Sequence, residues 1–292
     1  MFHLFTHAFF KALLFLAAGS VIHAAHTQDI REMGGLGRAM PWTALTMIVA
    51  ALSLAGVPPL SGFWSKDEIL VAVTHMSAPE PLPTLLYVFA VATVFMTSFY
   101  MFRVVFRTFF GAYRGHGHPH ESPAVMVVPL VILAVPSVVV GFWNAPFVGG
   151  FSAFLGDHHV PEFNPAVAGI SVVLGLAGIA LAWLMYGVGV VSPERMGEIF
   201  RPFYVLFYRK YWIDELYYGI VNAVVVGGAQ ALAVFDRVVV DGVVNGVARG
   251  VRVGGLALRR VQTGQVQAYA WVFFAGVVVI ALAVLLPTLG RA

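Results

Sequence analysis

The sequence predicts an all-α polytopic membrane protein: six transmembrane helices, one of them discontinuous, plus a long lateral amphipathic helix. Three observations predict it. Of the 292 residues, 60% are hydrophobic and only 11% charged, where a soluble chain carries about 45–50% and about 25%. The mean hydropathy is +0.86. The apolar residues gather into runs long enough to cross a bilayer, which takes about 20 residues each. A soluble enzyme and a disordered chain are thereby excluded. The absence of cysteine excludes thiolate chemistry, cysteine-held iron–sulfur clusters and disulfides within this chain. The first residues hold neither a basic n-region nor a small-residue cleavage site, so no signal peptide is expected.

The spans fall at about 2–23, 41–75, 84–110, 123–143, 164–188 and 269–289. The second is too long for one plain helix, and it contains Gly56-Val57-Pro58-Pro59 followed by Ser61-Gly62. Adjacent prolines remove two amide donors and clash with the preceding turn. Two half-helices joined by non-helical backbone are expected, a break that survives at membrane depth only inside protein or along a water-filled cavity. A plain proline kink is the alternative. Basic residues set the topology. Arg31 and Arg38 follow span one; Arg107 and Arg114 follow span three, with Arg103 just inside its end; Arg195, Arg201, Arg209 and Lys210 follow span five. The linkers after spans two and four hold no Lys or Arg. The bias puts linkers one, three and five in the cytoplasm and both termini on the opposite side. Residues 1–190 are then a bundle of five spans, 191–265 an interfacial segment and 266–292 a terminal anchoring span.

The interfacial segment opens with Tyr208-Arg209-Lys210-Tyr211-Trp212, aromatic and charged residues suited to the membrane–water boundary. Beyond it Arg237, Asp241, Asn245, Arg249, Arg252 and Arg259 recur at helical spacing, with Val and Ala on the other faces. This reads as a helix lying along the membrane surface, about 70 Å long if 212–260 is all helical. Gly242, Gly246, Gly250 and Gly254 form a second stripe at spacing four, a ridge that lets another helix approach closely. Insertion of 219–235 as a further span is disfavoured, because it would put the basic residues at 249–260 on the wrong side.

Ionisable groups inside a span are costly and mark function by default. His3, His7 and Lys11 are spaced at i, i+4 and i+8 on one helix, with Thr6 beside them. A proton relay needs this kind of spacing: groups that take and release a proton, separated by gaps that one or two waters bridge. Snorkelling for Lys11 and ordinary core or interfacial roles for His7 and His3 are the plainer alternatives. A metal on the His3/His7 pair is not expected, because the span offers no carboxylate or third histidine. In span two, Lys66 is expected at the mouth of the second half-helix as another proton carrier. Asp67 would be its counter-ion, a helix cap or a donor to the outer side, and Glu68 a first-turn dipole partner. No nucleotide fingerprint, haem ligand pair or hydrolytic triad appears, and nothing points to nucleic acid.

These residues resemble a known family. His3-Leu4-Phe5-Thr6-His7-Ala8-Phe9-Phe10-Lys11-Ala12-Leu13-Leu14-Phe15, the loop Gln28–Leu36 and Gly56-Val57-Pro58-Pro59-Leu60-Ser61-Gly62-Phe63-Trp64-Ser65-Lys66-Asp67 are similar to motifs of the antiporter-like subunits of respiratory complex I. Phe235-Asp236-Arg237, Val240-Asp241-Gly242 and Leu258–Gly264 resemble the chain L (chain 5) group of NADH:quinone oxidoreductase. The resemblance covers only that group's C-terminal half, as in a fragment or a split subunit. It implies a proton-translocating subunit of an energy-coupling membrane, with Lys11 as the connecting lysine of a central hydrophilic axis beside His7 and His3. Lys66 with Asp67 would then serve proton exit. It implies no cofactor in this chain, with flavin, iron–sulfur clusters and quinone in other subunits. Partners would be neighbouring antiporter-like subunits along the lateral helix, at Arg237, Asp241, Gly242, Asn245, Gly246 and Gly250, and the lipid bilayer. A subunit of a multisubunit cation/proton antiporter and a purely structural anchor are the competing expectations.

Overall fold

The computed structural model describes residues 1–146, 148–156 and 162–289, the side chains of 287–289 apart. The described residues form helices: α1 Phe2–Ala25, a short α2 Leu36–Ala39, α3 Pro41–Ala55, α4 Ser61–Thr74, α5 Leu82–Phe109, α6 Ala124–Val139, α7 Gly150–Phe154, α8 Pro165–Ala182, α9 Pro193–Ile199, α10 Arg201–Tyr208, α11 Ile213–Ile220, α12 Gly227–Phe235, α13 Asp241–Val261 and α14 Val266–Leu289. The chain divides into two compact units, Met1–Phe200 and Arg201–Ala292. α1, α5, α6 with its 3₁₀ extension Val140–Asn144, α8 with a π turn at Trp183–Gly187, and α14 are each long and apolar enough to cross a membrane. So, by length and composition, is the helical run Lys210–Val261.

The expected break in span two is present. α3 stops at Ala55, Gly56 takes a left-handed conformation (φ +77°), and α4 starts at Ser61. The freed polar groups are taken up by neighbours. Ser53 and Ser61, both fully buried, lie 3.0 Å apart through their hydroxyls and donate to the Ser137 carbonyl at 3.2 and 2.7 Å. Gly62 N–H donates to Ser53 Oγ (3.1 Å). Ser137 sits where α6 passes into the 3₁₀ turn, so its carbonyl faces the break. The two half-helices meet closely: a Cβ on Gly62 would lie 1.9 Å from the Ser53 carbonyl oxygen.

α1 packs against α3 and α6, and α5 against α3 and α8. Phe10, Leu13, Leu14 and Ala17 of α1 meet Met47, Ala50, Ala51 and Leu54 of α3 and Phe102, Val105 and Phe109 of α5 in the main core. In lipid, where burial gives helices little drive to associate, such contact rests on close packing of small residues. Gly178 of α8 illustrates it: a Cβ there would stand 2.5 Å from the Phe95 carbonyl.

The linkers pair as the charge pattern requires. Arg114, after α5, donates to the carbonyls of Arg31 (3.0 Å) and Ile30 (3.4 Å) after α1. Asp29 beside them is clasped by Arg31 (2.6 Å), which holds its carboxyl down at about 2. Linkers two and four meet through His75 and Glu162 (3.5 Å). Glu121, ahead of α6, caps α3 from outside that helix. Its carboxylate accepts from Trp42 N (2.9 Å), Thr43 N (3.3 Å), Thr43 Oγ1 (2.6 Å) and Ser122 N (3.1 Å). Thr43 Oγ1 has spent its proton on Glu121, so it accepts from Ser20 Oγ (2.9 Å), and Ser20 in turn accepts from Ser122 Oγ (2.7 Å). α1, α3 and the start of α6 are thus fastened together at one end of the bundle.

In the second unit, Lys210, Tyr211 and Trp212 all take left-handed backbone conformations (φ 48°, 59° and 56°), so α11 starts in a new direction. From Ile213 the helix runs to Val261 through two π turns, Val221–Val226 and Asp236–Val240.

Two substitutions test this frame in the solubilised protein. Gly62→Ala forces the half-helices apart and is expected to cost about 1–3 kcal/mol as overpacking, read as a lowered thermal midpoint. Glu121→Ala leaves the amino end of α3 uncapped and is expected to cost about 1–2 kcal/mol. Glu121→Gln, which keeps an acceptor for the two backbone amides, is expected to lose less.

Candidate functional site

The polar residues inside the first unit collect where α1 crosses the start of α4. His3 Nδ1 lies 2.9 Å from Ser65 Oγ, and Thr6 Oγ1 donates to the same oxygen at 2.8 Å. Thr6 and Ser65 are fully buried. With Nδ1 bare, Ser65 donates to the ring and accepts from Thr6; with Nδ1 protonated, the Ser65 proton turns to the Ser61 or Gly62 carbonyl (3.4 and 3.5 Å). The hydroxyl pair therefore follows either state of His3. The His7 ring stands 5.8 Å from that of His3, centroid to centroid, and edge-on to Phe10 at 5.2 Å. Both rings lie within electrostatic reach of the Lys66 ammonium, and His7 also within that of Lys11.

Lys66 is not at the mouth of α4. Ser61 opens the helix, so Lys66 sits in its second turn, and its side chain folds back across the break. Its Cδ passes over Gly56, and Nζ donates to the Leu54 carbonyl. The ammonium therefore meets the carboxyl end of α3, the negative end of that half-helix, and fills the role of its missing amide donors. Asp67 is neither a cap nor a partner of Lys66. Successive residues on a helix do not face each other, and Asp67 points into the protein, 4% exposed, with Oδ1 lacking a hydrogen-bond partner. Glu68 is likewise beyond the first turn. It accepts from Asn144 Nδ2 (3.4 Å), whose own carbonyl oxygen accepts from Ser152 N and Oγ at 3.0 and 3.2 Å.

His3, His7 and Lys11 do not share one environment. Each step of four residues turns the helix about 40° past a full circle, so two steps carry the stripe about 80° round α1, away from the α4 side. His3 and His7 are half-buried, and Lys11 is exposed. It lies in a stripe with Leu4, Ala8, Phe15, Gly19 and Ile22, all exposed within this chain. On the long helix, Arg237, Asp241 and Asn245 are exposed too, and a Cβ on Gly242, Gly246 or Gly250 would meet nothing within 4 Å. Sequence reasoning missed Ser65 and Glu121. Both are small or loop polar residues with no spacing signal, and only the fold brings them to their partners.

Comparison with known proteins matches residues 1–97 to a family described as "NADH:quinone oxidoreductase/Mrp antiporter, TM". NADH-quinone oxidoreductase subunit L of Neisseria meningitidis is 39% identical over 96% of this chain and 48% of its own length. The chloroplast NAD(P)H-quinone oxidoreductase subunit 5 of Nephroselmis olivacea is 41% identical over 92% of this chain and 44% of its own. F(420)H(2) dehydrogenase subunit L of Methanosarcina mazei is 39% identical over 95% and 45%. The chain spans about half the length of the curated relatives it matches. A chain of the Mrp complex from Dietzia sp. superposes loosely, with a TM-score of 0.47 and 22% identity over 97% of this chain and 27% of that one. The chain is an integral multi-pass membrane protein whose residues 1–97 match the NADH:quinone oxidoreductase/Mrp antiporter family and which, over most of its length, is similar to about half of the subunit named L or 5.

Proposed function

We propose that the chain is a proton-translocating membrane subunit of an NADH:quinone oxidoreductase, respiratory complex I. Quinone reduction elsewhere in the complex would drive proton transfer along Lys66, His3, His7 and Lys11. The observation that carries this reading is the Lys66 ammonium held inside the break of a discontinuous helix. His3 meets the hydroxyl of Ser65, the residue before Lys66, and Asp67, the residue after it, is buried. A lysine so placed can lose its proton to a neighbour, and the neutral amine then holds the Leu54 carbonyl only by a weaker, uncharged hydrogen bond, so its charge state is coupled to the helix break. The order Lys66, His3, His7, Lys11 follows the succession of His3, His7 and Lys11 along α1, with His3 the ring that meets Ser65 beside Lys66.

Lys11 supports the same reading from the other side. A lysine facing hydrocarbon in mid-span costs about 2.5–3.5 kcal/mol on insertion scales. Its stripe on α1 is therefore covered in the working protein, by a part of the subunit that lies outside the stretch of the longer relatives matched here. Flavin, iron–sulfur clusters and quinone would reside in other subunits. The neighbouring antiporter-like subunits would take the glycine ridge and the Asp241/Asn245 edge of the long helix. The setting would be an energy-coupling membrane, in bacteria the cytoplasmic one, with both termini on the outer side. A cation/proton antiporter subunit is the second reading, since the matched family description names both. Similarity to oxidoreductase subunits over 92–96% of the chain favours the first.

The test is the proton-to-electron ratio of the assembled complex in proteoliposomes. Lys66→Ala is expected to lower the ratio with electron transfer retained, and to cost about 1–3 kcal/mol by stripping the Leu54 carbonyl of its donor. Lys66→Arg separates the two roles: arginine keeps the donor but does not deprotonate, so stability should return and transfer should not. Lys11→Leu is expected to fold normally and to lower the ratio as well. An unchanged ratio in both Lys66→Arg and Lys11→Leu would leave the anchor role standing and end this proposal.

A further inference from the structure

We infer that the carboxyl half of α13 is a docking strip for anionic phospholipid headgroups, built by Arg249, Arg252, Arg259 and Arg260. The argument starts from helix geometry. At about 100° per residue, these four arginines fall within an arc of about 100°. Val243, Val247, Val251, Leu258 and Val261 fall on the opposite side. Every one of these side chains is exposed within this chain. Leu256 falls within the arginine arc and Val253 beside it, so the helix presents a mainly cationic ridge opposite a branched aliphatic face, the form that lies in a headgroup layer with its apolar side toward the acyl chains.

Charge is polarised along the helix as well as around it. From Arg249 to Val261 there are four arginines and no acid; from Asp236 to Ala248 there are Asp236, Arg237 and Asp241. The two halves therefore suit different surfaces. The amino half, near neutral and edged by Asn245, Gly242 and Gly246, fits the protein contacts proposed above. The carboxyl half fits a phosphate-bearing surface, since four or more basic residues beside a membrane entry bind anionic lipid.

The entry point is close by. Arg259 and Arg260 stand seven and six residues ahead of α14, whose first turns carry Tyr269 and Trp271, side chains of the headgroup level. The turn between the helices is fastened by the Gly264 amide donating to the Tyr269 hydroxyl at 2.9 Å, which keeps the end of α13 at that level. On the side assigned by the basic linkers, the leaflet is the cytoplasmic one. The inference rests on the lateral placement of α13 in the proposed function but not on proton transfer, so exchange and pumping measurements can fail separately.

The test is backbone hydrogen exchange of the full chain in nanodiscs. One set holds phosphatidylcholine alone, and the other includes about 30% phosphatidylglycerol, a strongly anionic surface. Each arginine near such a surface is worth about a fivefold change in binding, so amides of 249–261 should exchange at least about tenfold more slowly in the anionic discs. Salt at roughly 0.5 M, which shortens the screening length to a few ångströms, should remove most of the difference. Amides of 241–248 should differ little between the discs. Replacing the four arginines with glutamine should abolish the difference while exchange in α1, α5 and α14 stays as in the parent, which reports that the fold is kept. Equal protection in both discs, as for a helix inserted across the bilayer, would overturn the inference. So would protection that appears only with added membrane subunits, whatever the lipid, as for a protein-docking strip.

Discussion

The structure depends on how the backbone freed at Gly56–Leu60 is satisfied inside a membrane. Each unpaired carbonyl or amide in hydrocarbon costs several kcal/mol, so a helix can be interrupted there only if neighbours supply partners. Here they come from three helices. α4 sends Lys66 back to the Leu54 carbonyl, α3 sends Ser53 to the Gly62 amide, and α6 offers the Ser137 carbonyl to two hydroxyls. Most of these partners are neutral and fixed. Lys66 alone among them can change its charge, which ties the state of a proton to the state of the backbone.

That tie accounts for the surrounding rigidity. If Lys66 is to release Leu54 without the half-helices drifting, both must be anchored elsewhere. The amino end of α3 is held by Glu121 and the Ser20–Thr43–Ser122 hydroxyls. The amino end of α4 is pressed against α3 at Gly62 and against the α6 extension at Gly141, where a Cβ would lie 2.5 Å from Ser61 Cα. The one soft link between the anchored ends is the lysine side chain over Gly56.

Much of the fold was legible because it follows from patterns that a membrane enforces locally. Twenty-residue apolar runs become helices, paired prolines break one, and basic residues sort the linkers. The pairing of linkers one with three and of two with four bears this out within the first unit. The site was legible in composition but not in direction. An i, i+4, i+8 series looks like one face over two turns, yet the residual 40° per step carries Lys11 out of the pocket that holds His3. Lys66 was placed at a helix mouth because sequence marks where a helix starts, not which way a long flexible side chain folds. Glu121 and Ser65 carried no signal, since a cap supplied from a distant loop and a lone buried hydroxyl depend wholly on tertiary contact.

On the proposed relay, the proton path is completed from outside the described residues. His3 and Lys66 are enclosed by α1, α4 and their neighbours, and their hydroxyl partners are already in place. Lys11 stands about 80° round α1 from His3, in a stripe that no described residue of this chain covers. A proton that reached Lys11 from His7 would stand at the edge of the protein, facing a medium that neither solvates the charge nor accepts it. Only a polar surface brought by another segment can make that position a station in place of a dead end. The chain's matching only about half of its relatives' length is consistent with that surface lying in the other half. The enclosed end can be understood from these residues alone; the open end acquires a function only when something with its own acceptor at the depth of Lys11 closes over α1.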